Sequence, residues 1–158
     1  MWGWGNTWST HTNVLVPLDF EKAFDSLEWS FIYKSLEFFG FGESIIYWFQ
    51  TLYKNVESCV QNNGHLSERF VVRRGVRQGD PLSPHLFIFA VELLSAALKL
   101  NPKIKGISIN NSEFLISQYA DDSTLSLADD ENSLNEALNM ISLFSICSGL
   151  RTILIKHR

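Results

Sequence analysis

The chain is expected to fold as α+β, with helices packed on one face of an antiparallel sheet, and three observations lead there. Segments of helical period alternate with short apolar segments in the order β-α-α-β-β-α-β-β-β-α-β. Two Asn-rich turns, Asn62-Asn63-Gly64-His65 and Asn110-Asn111, each lie between runs of strand character. The 158 residues are 46% hydrophobic and 19% charged, which suits one globular domain with its own core.

The elements follow in order. Residues 1–13 hold Trp2, Trp4 and Trp8 among Gly, Asn, Thr and Ser without periodicity, and are expected to form a poorly ordered leader outside the domain of residues 14–158. Val14–Leu18 runs into Asp19 as a short strand, although Pro17 removes a ladder donor and suits a central strand poorly. Asp25 or Ser26 is expected to cap a helix over Leu27–Phe39 that Gly40 closes. A second helix, Ser44–Tyr53, carries Ile45, Trp48, Phe49 and Leu52 at helical spacing. Val56–Gln61 and Leu66–Val72 form a hairpin, and Ser83-Pro84 opens a helix to Leu98 with cap and proline in favoured places. Ile107–Ile109 pairs with Phe114–Tyr119, Thr124–Leu127 returns, Ser133–Ser148 is helical up to Gly149, and Leu150–Ile155 ends as a strand.

Composition narrows the function classes. No apolar run approaches the length of a membrane span, and no basic-then-apolar start marks a signal peptide. Cys59 and Cys147 are far apart, so a reduced intracellular protein, nuclear or cytoplasmic, is expected, with Cys147 in the core of a helix. His11, His65, His85 and His157 lack ligand spacing, which gives zinc no support. The net charge of −4 is unusual for a protein that binds nucleic acid, yet Arg69, Arg73, Arg74 and Arg77 crowd four guanidinium groups into nine residues. That cluster is either a nucleic-acid contact or a solvated hairpin face.

The chemistry concentrates at Asp19 and at Asp121-Asp122. Adjacent residues of a regular strand point to opposite faces, so both aspartates can meet one site only across a tight turn. Two carboxylates about 4 Å apart repel by roughly 4 kcal/mol at an effective dielectric near 20, so such a cluster favours cations. Alone, Asp-Asp is a solvated turn; with Asp19 at another strand end it suits a pair of hard cations.

Tyr119-Ala120-Asp121-Asp122, Leu18–Ser26 (L-D-F-E-K-A-F-D-S) and Arg77–Pro84 (R-Q-G-D-P-L-S-P), in this family's order along the chain, resemble the catalytic motifs of reverse transcriptases, above all those of non-LTR (LINE-like) retrotransposons. The resemblance spans most of the chain and implies a polymerase palm, partial, with fingers and thumb largely missing and no endonuclease domain. It implies two-metal nucleotidyl transfer to a primer 3′-hydroxyl by an RNA-directed DNA polymerase. The partners would be RNA template, DNA primer and deoxynucleoside triphosphates, and the missing fingers and thumb of a parent polyprotein.

By the same resemblance Asp19, Asp121 and Asp122, with the Phe20 carbonyl, would hold two Mg²⁺ ions, for which Mn²⁺ can substitute. Phe24 would lie beneath the incoming sugar and exclude a ribose 2′-hydroxyl; otherwise it is a core phenylalanine. Gln78 and Gly79 would line the nucleotide pocket, Asp80 would brace the loop or cap the helix, and Arg73, Arg74 and Arg77 would meet nucleic acid. Ser148–Arg151 with Lys156 resembles the next motif, whose lysine lies near the triphosphate, but Ile153 stands where an asparagine is usual. An inactive relic of such an element, and a non-catalytic RNA-binding remnant, are the alternative readings.

Overall fold

A computed structural model describes residues 13–119, 122–128 and 130–154. The leader, apart from Asn13, together with Ala120, Asp121 and Lys156, lies outside the described residues. The chain runs through β1 (Val14–Glu21), α1 (Ala23–Ser26), α2 (Trp29–Phe38), α3 (Glu43–Leu52), β2 (Glu57–Ser58), β3 (Gln61–Asn62), β4 (His65–Leu66) and β5 (Phe70–Val71). It continues with α4 (Ser83–Leu100), β6 (Ile107–Ile109), β7 (Ser112–Phe114), β8 (Ile116–Tyr119), β9 (Asp122–Leu127), α5 (Glu131–Ser148) and β10 (Arg151–Leu154). The main sheet has the order β10-β1-β9-β8, with antiparallel neighbours throughout. The expected α+β architecture is present.

The sheet is two-faced because its side chains alternate. Leu18 and Phe20 of β1, with Leu125 and Leu127 of β9, turn inward and are buried. They meet Leu86, Phe87, Ala90 and Leu94 of α4 and Ala137, Ile141 and Phe144 of α5 in one core. The Phe20 ring lies 6.3 Å from both Phe87 and Phe144, tying the central strand to both long helices. By length and composition alone α4 could cross a membrane, a run not apparent in the sequence reading. Its apolar face is instead buried in this core, as in many soluble core helices.

Two turns match their sequence signals. Asn63 and Gly64 both take positive φ between β3 and β4, and Asn110 and Asn111 do so between β6 and β7, the geometry a two-residue hairpin requires. The Asn110-Asn111 hairpin is shorter than expected. Leu115 breaks the run, so β7 pairs with β6 while β8 joins the main sheet.

Other expectations need correction. The expected Leu27–Phe39 helix is present as α2, shortened to Trp29–Phe38, and a separate turn of helix, α1, precedes it with Leu27 extended between the two. Glu28 is the N-cap, not Asp25 or Ser26, because the Phe24 and Leu27 carbonyls accept from Val76 and Gly75. At α4 the N-cap is Leu82; Ser83 is already helical and its buried hydroxyl caps nothing. Pro17 lies inside a strand that is central in the sheet. It pairs with Thr124 of β9, and among the described residues β10 runs alongside only from Leu18 onward. Cys147 is exposed, because α5 turns Phe144 and Ser148 inward and leaves Cys147 outside. Helix α3 buries no residue; Ile45, Trp48 and Leu52 are exposed, and only Ile46 and Phe49 reach the core.

Candidate active site

Strand register decides which carboxylates meet. Between β1 and β9, Leu18 faces Ser123 and Pro17 faces Thr124. One step further along the same register sets Asp19 beside Asp122. Leu18 and Ser123 are buried on the core side, so their neighbours Asp19 and Asp122 share the opposite, open face. Tyr119 pairs with Asp122 at the end of the β8–β9 hairpin, and its side chain is 84% exposed on that face. The two residues between them include Asp121, outside the described residues. Among the described residues no three His, Cys, Asp or Glu side chains cluster as a metal site, and neither Asp19 nor Asp122 has an ion-pair partner.

On the other flank, β10 brings Ile153 opposite Asp19 and Arg151 opposite Glu21. Arg151 pairs with Glu21 at 3.4 Å. The sequence reading missed this pair, because only the β1–β10 register joins the two residues.

The segment after β5 packs against the turn that follows β1. Gly75 has φ +86°, and a Cβ there would lie 2.9 Å from the Phe24 carbonyl oxygen and 2.8 Å from that of Asp25. The Gly75 N–H donates to Leu27 O at 2.8 Å, and the Val76 N–H donates to Phe24 O at 2.6 Å. The Trp29 indole Nε1–H donates to Gly75 O at 2.7 Å, a role with no signal in local periodicity. Asp80 Oδ1 accepts from the Leu82 N–H at 2.9 Å, so Asp80 braces the loop as expected. Gly79 has φ +87° with open space around it, so its conformation rather than crowding asks for glycine.

Beside this loop is an open cavity of about 420 Å³ lined by Asp25, Val72, Arg74, Gly75, Val76, Arg77 and Gln78. Arg74 is held 3.8 Å from Glu28 and Arg69 3.7 Å from Glu57. Arg73 and Arg77 are exposed and have no carboxylate partner among the described residues. Beneath the loop, the Tyr53 and Ser83 hydroxyls are buried without a hydrogen bond of good geometry. Burial pushes the Tyr53 phenol above its ordinary value of 10.0; Asp80 adds to the rise, while Ser83 and Arg77 oppose it.

Phe24 stacks on Phe87 at 5.0 Å and is partly buried, so it packs as a core side chain. The Phe20 ring is in the core, so only its backbone lies on the site's side of the question. The structure thus brings Asp19 and Asp122 together on one face, and Phe24 and the segment leading to Gln78 together through backbone bonds.

Comparison with known proteins agrees with this layout. Residues 6–157 match the family described as reverse transcriptase (RNA-dependent DNA polymerase). The chain is 37% identical over 111 residues to the Pol polyprotein of the type-2 retrotransposable element R2DM of Drosophila melanogaster, covering 70% of this chain and 10% of that protein. It is 31% identical over 140 residues to the transposon TX1 149 kDa protein of Xenopus laevis, covering 87% of this chain and 10% of that one. It therefore spans about a tenth of the length of these two curated relatives. The fold resembles telomerase from Candida albicans, solved with a fragment of telomeric RNA, with a TM-score of 0.60 at 16% identity over 92% of this chain and 28% of that one. A sheet that aligns its aspartates in this way, in a sequence matched to the family over nearly its whole length, belongs to the reverse transcriptase family, as a reverse transcriptase domain of the non-LTR retrotransposon kind.

Proposed function

We propose that the chain provides the palm of an RNA-directed DNA polymerase that extends a primer 3′-hydroxyl on an RNA template with deoxynucleoside triphosphates. The observation that carries this reading is the β1–β9 register, which sets Asp19 beside Asp122 on an open face at the hairpin end.

Reverse transcriptases as a family use divalent metal ions. The donor set fits such ions: two hard carboxylates on one open face, with no cation paired to either among the described residues. By the motif, Asp19 and Asp121 would be the principal ligands of two Mg²⁺ ions, or Mn²⁺ in their place, with Asp122 as the third, weaker carboxylate and the Phe20 carbonyl completing a shell. When bound, the ions supply activation of the attacking hydroxyl and stabilisation of charge on the leaving pyrophosphate. The chain's own residues do the positioning. Phe24 lies under the sugar, Gln78 and Gly79 line the nucleotide pocket, and Arg73, Arg74 and Arg77 hold nucleic-acid phosphates. Lys156 is assigned to the triphosphate by its place in the motif. Such a protein would work inside the cell, in nucleus or cytoplasm.

The test is primer extension on an RNA template by the purified protein, beside an Asp19→Ala variant of equal melting temperature. Extension by the first and not the second supports the reading. No extension, with RNA binding that weakens steeply with salt and is lost in Arg73→Ala/Arg77→Ala, would favour an RNA-binding remnant instead.

A further inference from the structure

We propose that Trp29 is a positioning residue for the incoming nucleotide, acting through the segment Gly75–Gln78. The proposal rests on the polymerase reading above and adds a residue that none of the sequence motifs contains.

Four observations converge on it. The partly buried indole N–H donates to the Gly75 carbonyl at 2.7 Å across a separation of 46 residues. The next two backbone donors of the same segment, from Gly75 and Val76, reach back to Leu27 and Phe24. Gly75 is so close to residues 24 and 25 that a Cβ would strike their carbonyl oxygens, so the two segments are in direct backbone contact. The indole also rests on the Tyr53 ring at 5.2 Å, and the phenol of Tyr53 feels the charges of Asp80 and Arg77, one on each side of Gln78 and Gly79.

The consequence concerns Gln78. It is exposed and makes no side-chain hydrogen bond among the described residues, so its position is set by the backbone that leads to it. That backbone hangs from the turn that carries Phe24. Trp29 closes the assembly and thereby fixes the spacing between the turn that carries Phe24 and the segment that leads to Gln78. Tryptophan suits the task because it is the apolar ring that also carries an N–H donor at its edge. Phenylalanine would keep the contact with Tyr53 and lose the bond to Gly75. Misplacing a pocket wall by a fraction of an ångström weakens ground-state nucleotide binding before it disturbs the carboxylates on the sheet.

The experiment compares the full chain, Trp29→Phe and Ile141→Val, the last being a core change on α5 that lowers stability without touching the loop. Amide exchange is followed at Gly75 and Val76, and affinity is measured with Mg²⁺ and a deoxynucleoside triphosphate carrying a fluorescent base. Trp29→Phe is expected to quicken exchange at both amides and weaken nucleotide binding about five- to tenfold, the scale of one lost hydrogen bond. In primer extension KM for the nucleotide should rise by the same factor with kcat little changed. Ile141→Val should lower the melting temperature and leave affinity unchanged. Unchanged exchange or unchanged affinity in Trp29→Phe overturns the proposal while leaving the polymerase reading intact, and so does an equal loss in Ile141→Val. A parent chain that neither binds the nucleotide nor extends a primer overturns the polymerase reading and the positioning role together, even if exchange quickens.

Discussion

Phe24 and Phe87 lie nearly parallel, their ring centroids 5.0 Å apart and their planes at 17°, so the residue expected to meet the sugar is also a rivet between the β1 exit and α4. Stacked aromatic pairs contribute about 0.5–1.5 kcal/mol beyond the area they bury. Phe24→Val is therefore expected to lower stability by roughly 2 kcal/mol, less than a full truncation to alanine. In a competent polymerase it should also admit ribonucleotides. Denaturant unfolding measures the first effect and single-nucleotide incorporation the second; a stable variant with unchanged sugar discrimination would leave Phe24 without either role.

Asp19 and Asp122 share a face, so a divalent ion should bind the folded chain and not the unfolded one. Mg²⁺ at about ten times its dissociation constant is expected to stabilise the fold by about 1.4 kcal/mol. Asp19→Asn should abolish that gain and fold normally without metal, since Asp19 has no ion-pair partner among the described residues to lose. Thermal melts with and without Mg²⁺ decide this. A metal-dependent rise that survives the substitution would place the ion elsewhere.

Gly75→Ala should be among the most damaging small substitutions in the chain. The added methyl meets two backbone carbonyl oxygens at 2.8 and 2.9 Å, and φ is +86°. The left-handed conformation alone costs about 1 kcal/mol for a residue with a Cβ, and rigid backbone neighbours add to that. A loss of at least about 2 kcal/mol is expected. Gly79→Ala has a similar φ and open surroundings, so it should cost only the conformational part. Equal losses at the two positions would mean that the neighbours of Gly75 add nothing to its conformational cost.

Burial raises the phenols of Tyr53 and Tyr33 above 10.0, and Tyr53 adds to the rise of Tyr33. A group whose pKa is raised by folding contributes stability that is complete below its unfolded value and is lost as pH climbs through the folded one. Stability should therefore hold steady up to about pH 10, the ordinary tyrosine value, and fall above it. Tyr53→Phe should make that fall shallower, leaving the share due to Tyr33. Urea midpoints between pH 8 and 11 would show it, and an identical alkaline slope in the variant would remove Tyr53 from the account.

Local chemistry in the sequence was enough for the elements themselves. Positive-φ turns at Asn63-Gly64 and Asn110-Asn111, the Gly149 stop and the period of α4 and α5 are each fixed by residues within a turn or two of one another. The aspartate motif also named Asp19 and Asp122 before any fold was in view. Periodicity goes no further than a face, because it does not say whether another element covers that face. Hence α3 with its exposed Trp48, and Cys147 on the outside of α5, departed from expectation.

What the sequence determined by itself was the kind of fold, the family, and the residue types that carry its chemistry, since all three reside in short-range pattern and motif. What only the tertiary structure decided was register and anchorage. Asp19 meets Asp122 because β1 and β9 pair with one offset and not its neighbour, and a slip of one residue would turn one aspartate into the core. Helix α2 begins at Trp29, and not at Leu27, because carbonyls at residues 24 and 27 bond to Gly75 and Val76 in preference to continuing a helix. Both outcomes rest on hydrogen bonds between residues distant in the chain, whose geometry local propensity does not encode.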